Sequence, residues 1–169
     1  MAQKFLTMIS GNFKEVEATT TSAGAGDAGK VPALDSAGKL DTSVMPVGIG
    51  ADTKTIVASE NLAAGDLVNV WNDTGTIKVR KADATSPSKR AHGFVLSSVS
   101  SAANATVYFE GTITGLSSLT LGGTYFLGTT AGAATATATT TAGHIVQQVG
   151  VAVSATELSF EPQQPVELA

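Results

Sequence analysis

The chain of 169 residues contains no cysteine, which excludes disulfide bonds, thiolate nucleophiles and cysteine-based zinc sites. Aromatic residues make up only 5% of the sequence, too few for a large conventional core. The length suffices for one ordinary domain plus an appendage. A chain this poor in aromatic residues needs another source of stability, and burial of surface between subunits is a common one.

Charge is scarce and unevenly distributed along the chain. Only 14% of the residues are charged, the net charge is −4, and no lysine or arginine follows Arg90. Because a nucleic-acid-binding surface needs a basic face, the second half of the chain cannot supply one. A solvated strand edge and loop is the favoured interpretation of the one basic cluster, so we expect no nucleic-acid partner. This cluster comprises Lys78, Arg80, Lys81, Lys89 and Arg90.

Long apolar runs are also missing. No run approaches the ~20 residues that a membrane-spanning helix needs. The first six residues lack the apolar stretch of a secretory signal. We therefore expect a soluble chain without a membrane partner, one that becomes extracellular only as part of an assembly.

Groups that could perform catalysis are few and isolated. His92 and His144 each begin a predicted strand, and neither has a second histidine or a carboxylate pair beside it as a metal site would require. Glu157 and Glu161 share one face of a predicted strand, but a separation of ~13 Å is too large for joint acid–base chemistry. Nucleophile-elbow and phosphate-loop motifs are absent. We expect no enzyme activity, no catalytic residues, no cofactor and no metal site.

Residues 1–52 are predicted to form an extended N-terminal arm. Two short strands, at 5–9 and 13–18, flank a turn at 10–12 and predict a hairpin. A lone two-stranded hairpin is marginal in water, so it should dock on another surface. The remainder is rich in Gly, Ala and Thr, with apolar residues spaced too widely to build a core. Two interpretations remain open: a flexible linker, or an arm that becomes ordered only on a partner.

Residues 53–169 are predicted to form a β-domain. Short apolar runs separated by Gly-rich turns predict an all-β fold, a compact antiparallel β-sandwich or small barrel. Apolar and charged residues alternate in 76–81, which places Ile77 and Val79 on one face, as in a half-buried hairpin. The Ala/Thr-rich stretch 133–141 is a candidate edge strand, and the tail 162–169 is expected to lie extended along the surface. The other strands are predicted at 54–58, 66–71, 92–97, 105–110, 124–128, 144–153 and 157–161.

Several segments carry a resemblance to known proteins. Residues 31–46 contain Ala-Leu-Asp-x-x-Gly-Lys-Leu-Asp-x-Ser-x-x-Pro, which resembles a segment that recurs in structural proteins of tailed bacteriophages. The order of 63–68 (with Ala-Gly-Asp-Leu-Val), 92–95 and 107–111 is similar to that in phage capsid decoration (cement) proteins. Residues 122–132, with Gly-Gly-Thr-Tyr-Phe-Leu, resemble a hairpin of the same proteins.

The resemblance implies a homotrimer in the virion, on the outer surface of a phage head. Such a protein binds the major capsid protein and stabilises contacts between capsid subunits. Its arm would reach across those contacts, and isolated apolar side chains would fill small pockets there. The candidate capsid-binding residues are Phe5, Leu6, Ile9, Phe13, Val31, Leu34, Leu40, Val44 and Met45.

An alternative is a phage tail or head fibre component that binds a host receptor or glycan. Sugars stack on exposed aromatic rings, and only Trp71, Tyr108 and Tyr125 combine a ring with a polar group. For Trp71, packing against its own domain is the favoured interpretation. In the capsid hypothesis the N-terminal arm binds the partner, whereas in the fibre hypothesis the β-domain does.

Overall fold

The computed structural model describes residues 3–45 and 50–169, and within these residues the protein is all-β. In these two ranges the strands are accompanied by three single-turn 3-10 helices and no α-helix. The all-β fold class predicted from sequence is therefore confirmed. The chain divides into two units, residues 1–50 and 51–169, whereas the predicted boundary lies after residue 52.

The N-terminal unit begins with the hairpin that the sequence predicts. Strands β1 (Lys4–Ile9) and β2 (Asn12–Glu17) pair antiparallel along their whole length. The two turn residues between them, Ser10 and Gly11, have φ angles of 52° and 80°. A two-residue turn with positive φ at both positions matches the right-handed twist of the strands, and glycine meets this requirement without strain.

Residues 18–45 fold back on themselves without forming a sheet. Thr19 donates its backbone N–H to Val31 O at 3.0 Å and accepts from Ala33 N at 2.7 Å, which makes a single parallel bridge. Ala33 is the buried apolar residue of this segment. The segment is thus held by local hydrogen bonds, and apolar burial contributes little to it.

In the second unit, five strands close a small barrel in the order β3, β5, β4, β6, β7. The β3–β5 pair is parallel and the other pairs are antiparallel. Small and β-branched side chains fill the interior, which suits a barrel of five strands. The strands are β3 (Thr53–Ala58), β4 (Leu67–Asp73), β5 (Thr76–Lys81), β6 (Gly93–Phe94) and β7 (Asn104–Tyr108).

The chain continues into a second, antiparallel sheet and a short ribbon. The strands are β8 (Gly111–Ile113), β9 (Thr124–Leu127), β10 (Ala134–Thr135), β11 (Ile145–Val146), β12 (Gln148–Ala152), β13 (Leu158–Phe160) and β14 (Val166–Glu167). The sheet has the order β10, β9, β12, β13, β8, while β11 pairs with β14. A second buried cluster joins residues of this sheet to Leu67 and Phe94 of the barrel strands.

The buried amide of Gln147 explains why the predicted strand 144–153 is interrupted. Its Oε1 accepts from Ala91 N at 2.8 Å, and its Nε2 donates to Ala91 O at 3.0 Å and to Gln163 O at 3.2 Å. The side chain thus pairs with backbone as a neighbouring strand would. It links the loop before β6 to the C-terminal tail, and it separates β11 from β12.

Other strand predictions fail for local reasons. The predicted strand 92–97 contains only the two residues of β6. The flanking backbone still bonds to the neighbouring chain, with His92 N donating to Val68 O at 2.8 Å and Val95 N to Asp66 O at 3.1 Å, and the chain then bends at 96–97. The stretch 133–141 is strand only at β10, since the hydroxyls of Thr135 and Thr139 accept from nearby backbone amides, each at 3.3 Å. Strand β8 was not predicted.

Two further expectations need correction. Ile77 is 56% exposed although it lies on the same face of β5 as the buried Val79. Strand β3 pairs only with Lys78 and Val79, so Ile77 lies beyond the wall of the barrel. The C-terminal tail is not merely extended along the surface, because β14 pairs with β11.

The approach of β12 to β13 at Gly150 generates a stability prediction. A Cβ at this position would lie 1.9 Å from the carbonyl oxygen of Ser159, a backbone atom that cannot move aside. We expect Gly150→Ala to lower the free energy of unfolding by about 3 kcal/mol or more, measured by urea denaturation. Gly26→Ala is the matched control, because a Cβ there meets nothing within 4 Å. A Gly150→Ala protein as stable as this control would contradict the packing described.

Candidate binding surface

The register of the hairpin gathers three apolar side chains on one face. Leu6 lies opposite Glu15 and Met8 lies opposite Phe13, and directly paired residues share a face of an antiparallel ribbon. Leu6, Met8 and Phe13 are 72%, 63% and 76% exposed. We call these three residues the apolar hairpin face.

The four candidate residues predicted in the hairpin do not all fall on this face. Leu6 and Phe13 do, whereas Phe5 and Ile9 alternate onto the opposite face. There, Phe5 pairs with Val16 and both are half-buried, while Ile9 is 40% exposed. Met8 is not among the predicted residues, although the two-residue period from Leu6 along β1 indicates it.

Charged residues border the apolar hairpin face. Lys4 and Glu15 lie on the same side of the ribbon, with Lys4 Nζ 2.9 Å from Glu15 Oε1. Both side chains are more than half exposed, so this ion pair adds little to stability. It places charged groups beside an apolar centre, the usual arrangement of a protein–protein contact.

Three aspartates hold the segment that carries the other candidate residues. Asp27, Asp35 and Asp41 each accept hydrogen bonds from backbone amides two to four residues away, and those of Asp35 and Asp41 with the amide two residues ahead are Asx turns. Hydrogen bonds from Lys30 and from the amide of Ala23 hold the pKa of Asp27 below its ordinary value, and hydrogen bonds from Ser43 lower the pKa of Asp41. Hydrogen bonds to the aspartates therefore give local structure to a segment that was predicted to be a flexible linker or an arm ordered on a partner.

The apolar candidates of this segment do not form one surface, and all are exposed except Val44, which is half-buried. Val44 and Met45 line a recess of about 300 Å³ together with Pro32. Leu34 lines a different recess of about 380 Å³. Val31 and Leu40 are 45% and 43% exposed and line neither recess. Pro46, which ends the phage-like motif, lies outside the described residues.

The aromatic residues proposed for sugar stacking are engaged within the β-domain. The guanidinium carbon of Arg80 lies 4.6 Å from the centre of the Trp71 ring. Tyr108 stacks on Phe94 with ring centres 5.4 Å apart. Tyr125 is buried, and its hydroxyl accepts from the backbone amide of Thr120 at 2.9 Å. These contacts confirm the interpretation that Trp71 packs on its own domain.

The basic cluster separates into two kinds of residue. Its three lysines form ion pairs with aspartates at 2.7–3.2 Å: Lys78 with Asp73, Lys81 with Asp66, and Lys89 with Asp83. Arg80 and Arg90 have no carboxylate oxygen within 4 Å in the part of the chain that the structure describes. The lysines therefore do not provide a free basic patch.

The histidine, aspartate and glutamate side chains of the described residues do not come together in a metal site. Among residues 3–45 and 50–169, no three His, Asp or Glu side chains lie close enough together to hold a metal ion. His144 Nδ1 lies 3.0 Å from the hydroxyl of Thr139. Within the same ranges, the structure contains no helix of the length and apolarity needed to cross a membrane.

His92 is held by strand β4. Its Nδ1 accepts from the backbone amide of Val70 at 3.0 Å. Burial lowers the pKa of His92 below 6.5, and the positive charge of Arg90 lowers this pKa further. The neutral imidazole is therefore the form that the folded protein favours.

No protein-family model matches the chain, and no curated protein matches it.

The environment of His92 predicts a loss of stability in acid. Because the folded state lowers the pKa, the stabilisation is complete above the unfolded value of about 6.5 and is lost as the pH falls below it. His92→Asn cannot titrate, and its side-chain oxygen can accept from Val70 in place of Nδ1. Between pH 6.5 and 5, we expect the unfolding free energy of the wild type to fall relative to that of His92→Asn. Parallel pH profiles from urea denaturation would contradict this.

Proposed function

We propose that this protein is a capsid decoration (cement) protein that binds the outer surface of a phage head and stabilises contacts between major capsid subunits. The observation that carries the proposal is the apolar hairpin face, where Leu6, Met8 and Phe13 are all more than 60% exposed. The resemblance of residues 31–46 to a segment of phage structural proteins supports the same assignment. Cementing needs no catalytic group.

Burial of the apolar hairpin face on a capsid would supply the driving force. Each large apolar side chain contributes roughly 1.5–3 kcal/mol when it is fully removed from water. Part of this is offset by the lost freedom of the bound chain. A homotrimer would place three hairpins on one capsid junction, and the resulting avidity would strengthen binding without any new contact.

Stabilisation of the shell then follows from linkage. A protein that binds the assembled head, and not its dissociated subunits, shifts the equilibrium towards the assembled state. Binding across a boundary between subunits provides this selectivity, because the complete site exists only after assembly. The exposed residues Leu34 and Met45 offer further apolar contacts along the same N-terminal unit.

The alternative, a fibre component that binds a glycan, gains no support from the aromatic residues. Tyr125 is buried, the Tyr108 ring stacks on Phe94, and Arg80 lies over Trp71. The exposed apolar side chains of the N-terminal unit suit a protein surface better than a sugar. We therefore retain the capsid proposal as the single candidate function.

The triple variant Leu6→Ser, Met8→Ser and Phe13→Ser tests the proposal. Wild-type protein should co-sediment with phage heads that lack it, and the variant should bind more than about 100-fold more weakly because three buried apolar contacts are lost. The control is Ile77→Ser in the β-domain, which changes a similarly exposed residue and should bind like wild type. Undiminished binding of the triple variant would contradict the role of the hairpin. Failure of the wild type to co-sediment would refute the function.

A further inference from the structure

A buried asparagine fixes the surroundings of the two arginines that lack a carboxylate partner. The Oδ1 of Asn69 accepts from Arg80 Nε at 3.0 Å, and its Nδ2 donates to the carbonyl oxygen of Arg90 at 2.8 Å. Asn69 is only 1% exposed. Because both ends of the amide have partners of the correct type, its orientation is determined.

The orientation of Asn69 determines where the proton of His92 resides. Two N–H donors face His92 Nδ1: the backbone amide of Val70 at 3.0 Å and Nδ2 of Asn69 at 3.3 Å. Nδ1 must therefore be the accepting nitrogen. A neutral imidazole has one donor and one acceptor, so the proton lies on Nε2.

This tautomer leaves two donors facing each other at the surface. His92 Nε2 lies 2.9 Å from Arg90 Nε, whose N–H is directed at it as it would be at an acceptor. With the proton on Nε2, this contact joins two donors. They cannot bond to each other, and no carboxylate oxygen of the described residues lies within 4 Å of Arg90. An oxygen acceptor between the two N–H groups, reached by a small rotation of the exposed Arg90 side chain, would satisfy both.

We propose that Arg90 and His92 form a binding site for a carboxylate group. One carboxylate oxygen would accept from His92 Nε2–H and the other from the Arg90 guanidinium, which matches carboxylates in planar geometry. The two residues line a recess of about 200 Å³ that Gln147 and the segment 162–165 complete. The positive charge of Arg80, which bonds to the same Asn69, adds to the attraction.

A carboxylate fits this site better than a phosphate of nucleic acid. Nucleic-acid binding requires several basic side chains that are free to contact phosphates along a surface. The lysines of the basic cluster are instead paired with aspartates. The carboxylate can belong to an acidic side chain of a protein surface or to a small free molecule. The site lies in the β-domain and goes beyond the proposed role of the hairpin.

The first experiment is a titration of the full-length ¹⁵N-labelled protein with sodium acetate, followed by NMR of the imidazole and guanidinium nitrogens. We expect a proton on Nε2 of His92 and none on Nδ1, and acetate-dependent shifts at His92 Nε2 and Arg90 Nε. Sodium chloride at equal ionic strength serves as the salt control. A proton on Nδ1, or no specific response to acetate, would overturn the proposal. A tighter response to inorganic phosphate than to acetate would overturn the carboxylate assignment.

Arg90→Gln supplies the matched variant, because it removes the charge and retains a polar side chain of similar reach. We expect it to weaken acetate binding at least about tenfold, the loss of a charge-assisted hydrogen bond. Lys54→Gln is the control, since Lys54 is an exposed cation of β3 and should respond to acetate like wild type. Equal acetate affinities of wild type and Arg90→Gln would refute the site.

The source of the carboxylate is distinguished with the same variants. Weaker binding of Arg90→Gln than of Lys54→Gln to phage heads supports the site with an acidic side chain of the capsid as its ligand. Equal head binding, with acetate binding still dependent on Arg90, supports the site with a small carboxylate. Because the acetate titration uses no heads, its failure refutes the carboxylate site and leaves the proposed capsid function untouched.

Discussion

Three consecutive residues of strand β4 are buried in three different surroundings, and the β-domain depends on this arrangement. Leu67 packs in the cluster between barrel and sheet, Val68 points into the barrel, and Asn69 makes the polar network with the two arginines. The alternation of a strand places Leu67 and Val68 on opposite faces. A slip of one residue in the pairing of β4 would exchange the two apolar surroundings, so the register of the barrel is strongly determined.

The scarcity of aromatic residues is compensated by close approach of the backbone. Strands meet where no side chain intervenes: a Cβ on Gly93 would lie 2.4 Å from the carbonyl oxygen of Tyr108, and one on Gly150 would lie closer still to Ser159. Three aromatic residues of the core meet at one place, where Tyr108 and Phe160 both contact Phe94. A core of small residues thus reaches dense packing through short distances between strands.

Local signals made the hairpin predictable, and distant partners made other parts unpredictable. The sequence itself shows the turn at Ser10 and Gly11 and the period of two in β1. The predicted bounds of β1 and β2 therefore agree with the structure to within one residue. The same period also indicates Met8, which is not among the predicted residues. The break at Gln147 depends on Ala91, which is remote along the chain. The binding residues were chosen for apolar character alone, and the register was needed to separate the two faces of the hairpin. The tautomer of His92 requires the orientation of Asn69, which no sequence pattern reveals.

The shortness of β10 has a consequence for behaviour at high concentration. Residues 111–156 carry no lysine, arginine, aspartate or glutamate, so the β10 edge of the second sheet lacks the charged side chains that usually prevent strands of different molecules from pairing. The hydroxyls of Thr135 and Thr139 bind backbone amides nearby and limit the edge to two residues. An edge strand of only two residues offers little template for pairing with another molecule, even when many copies are crowded together.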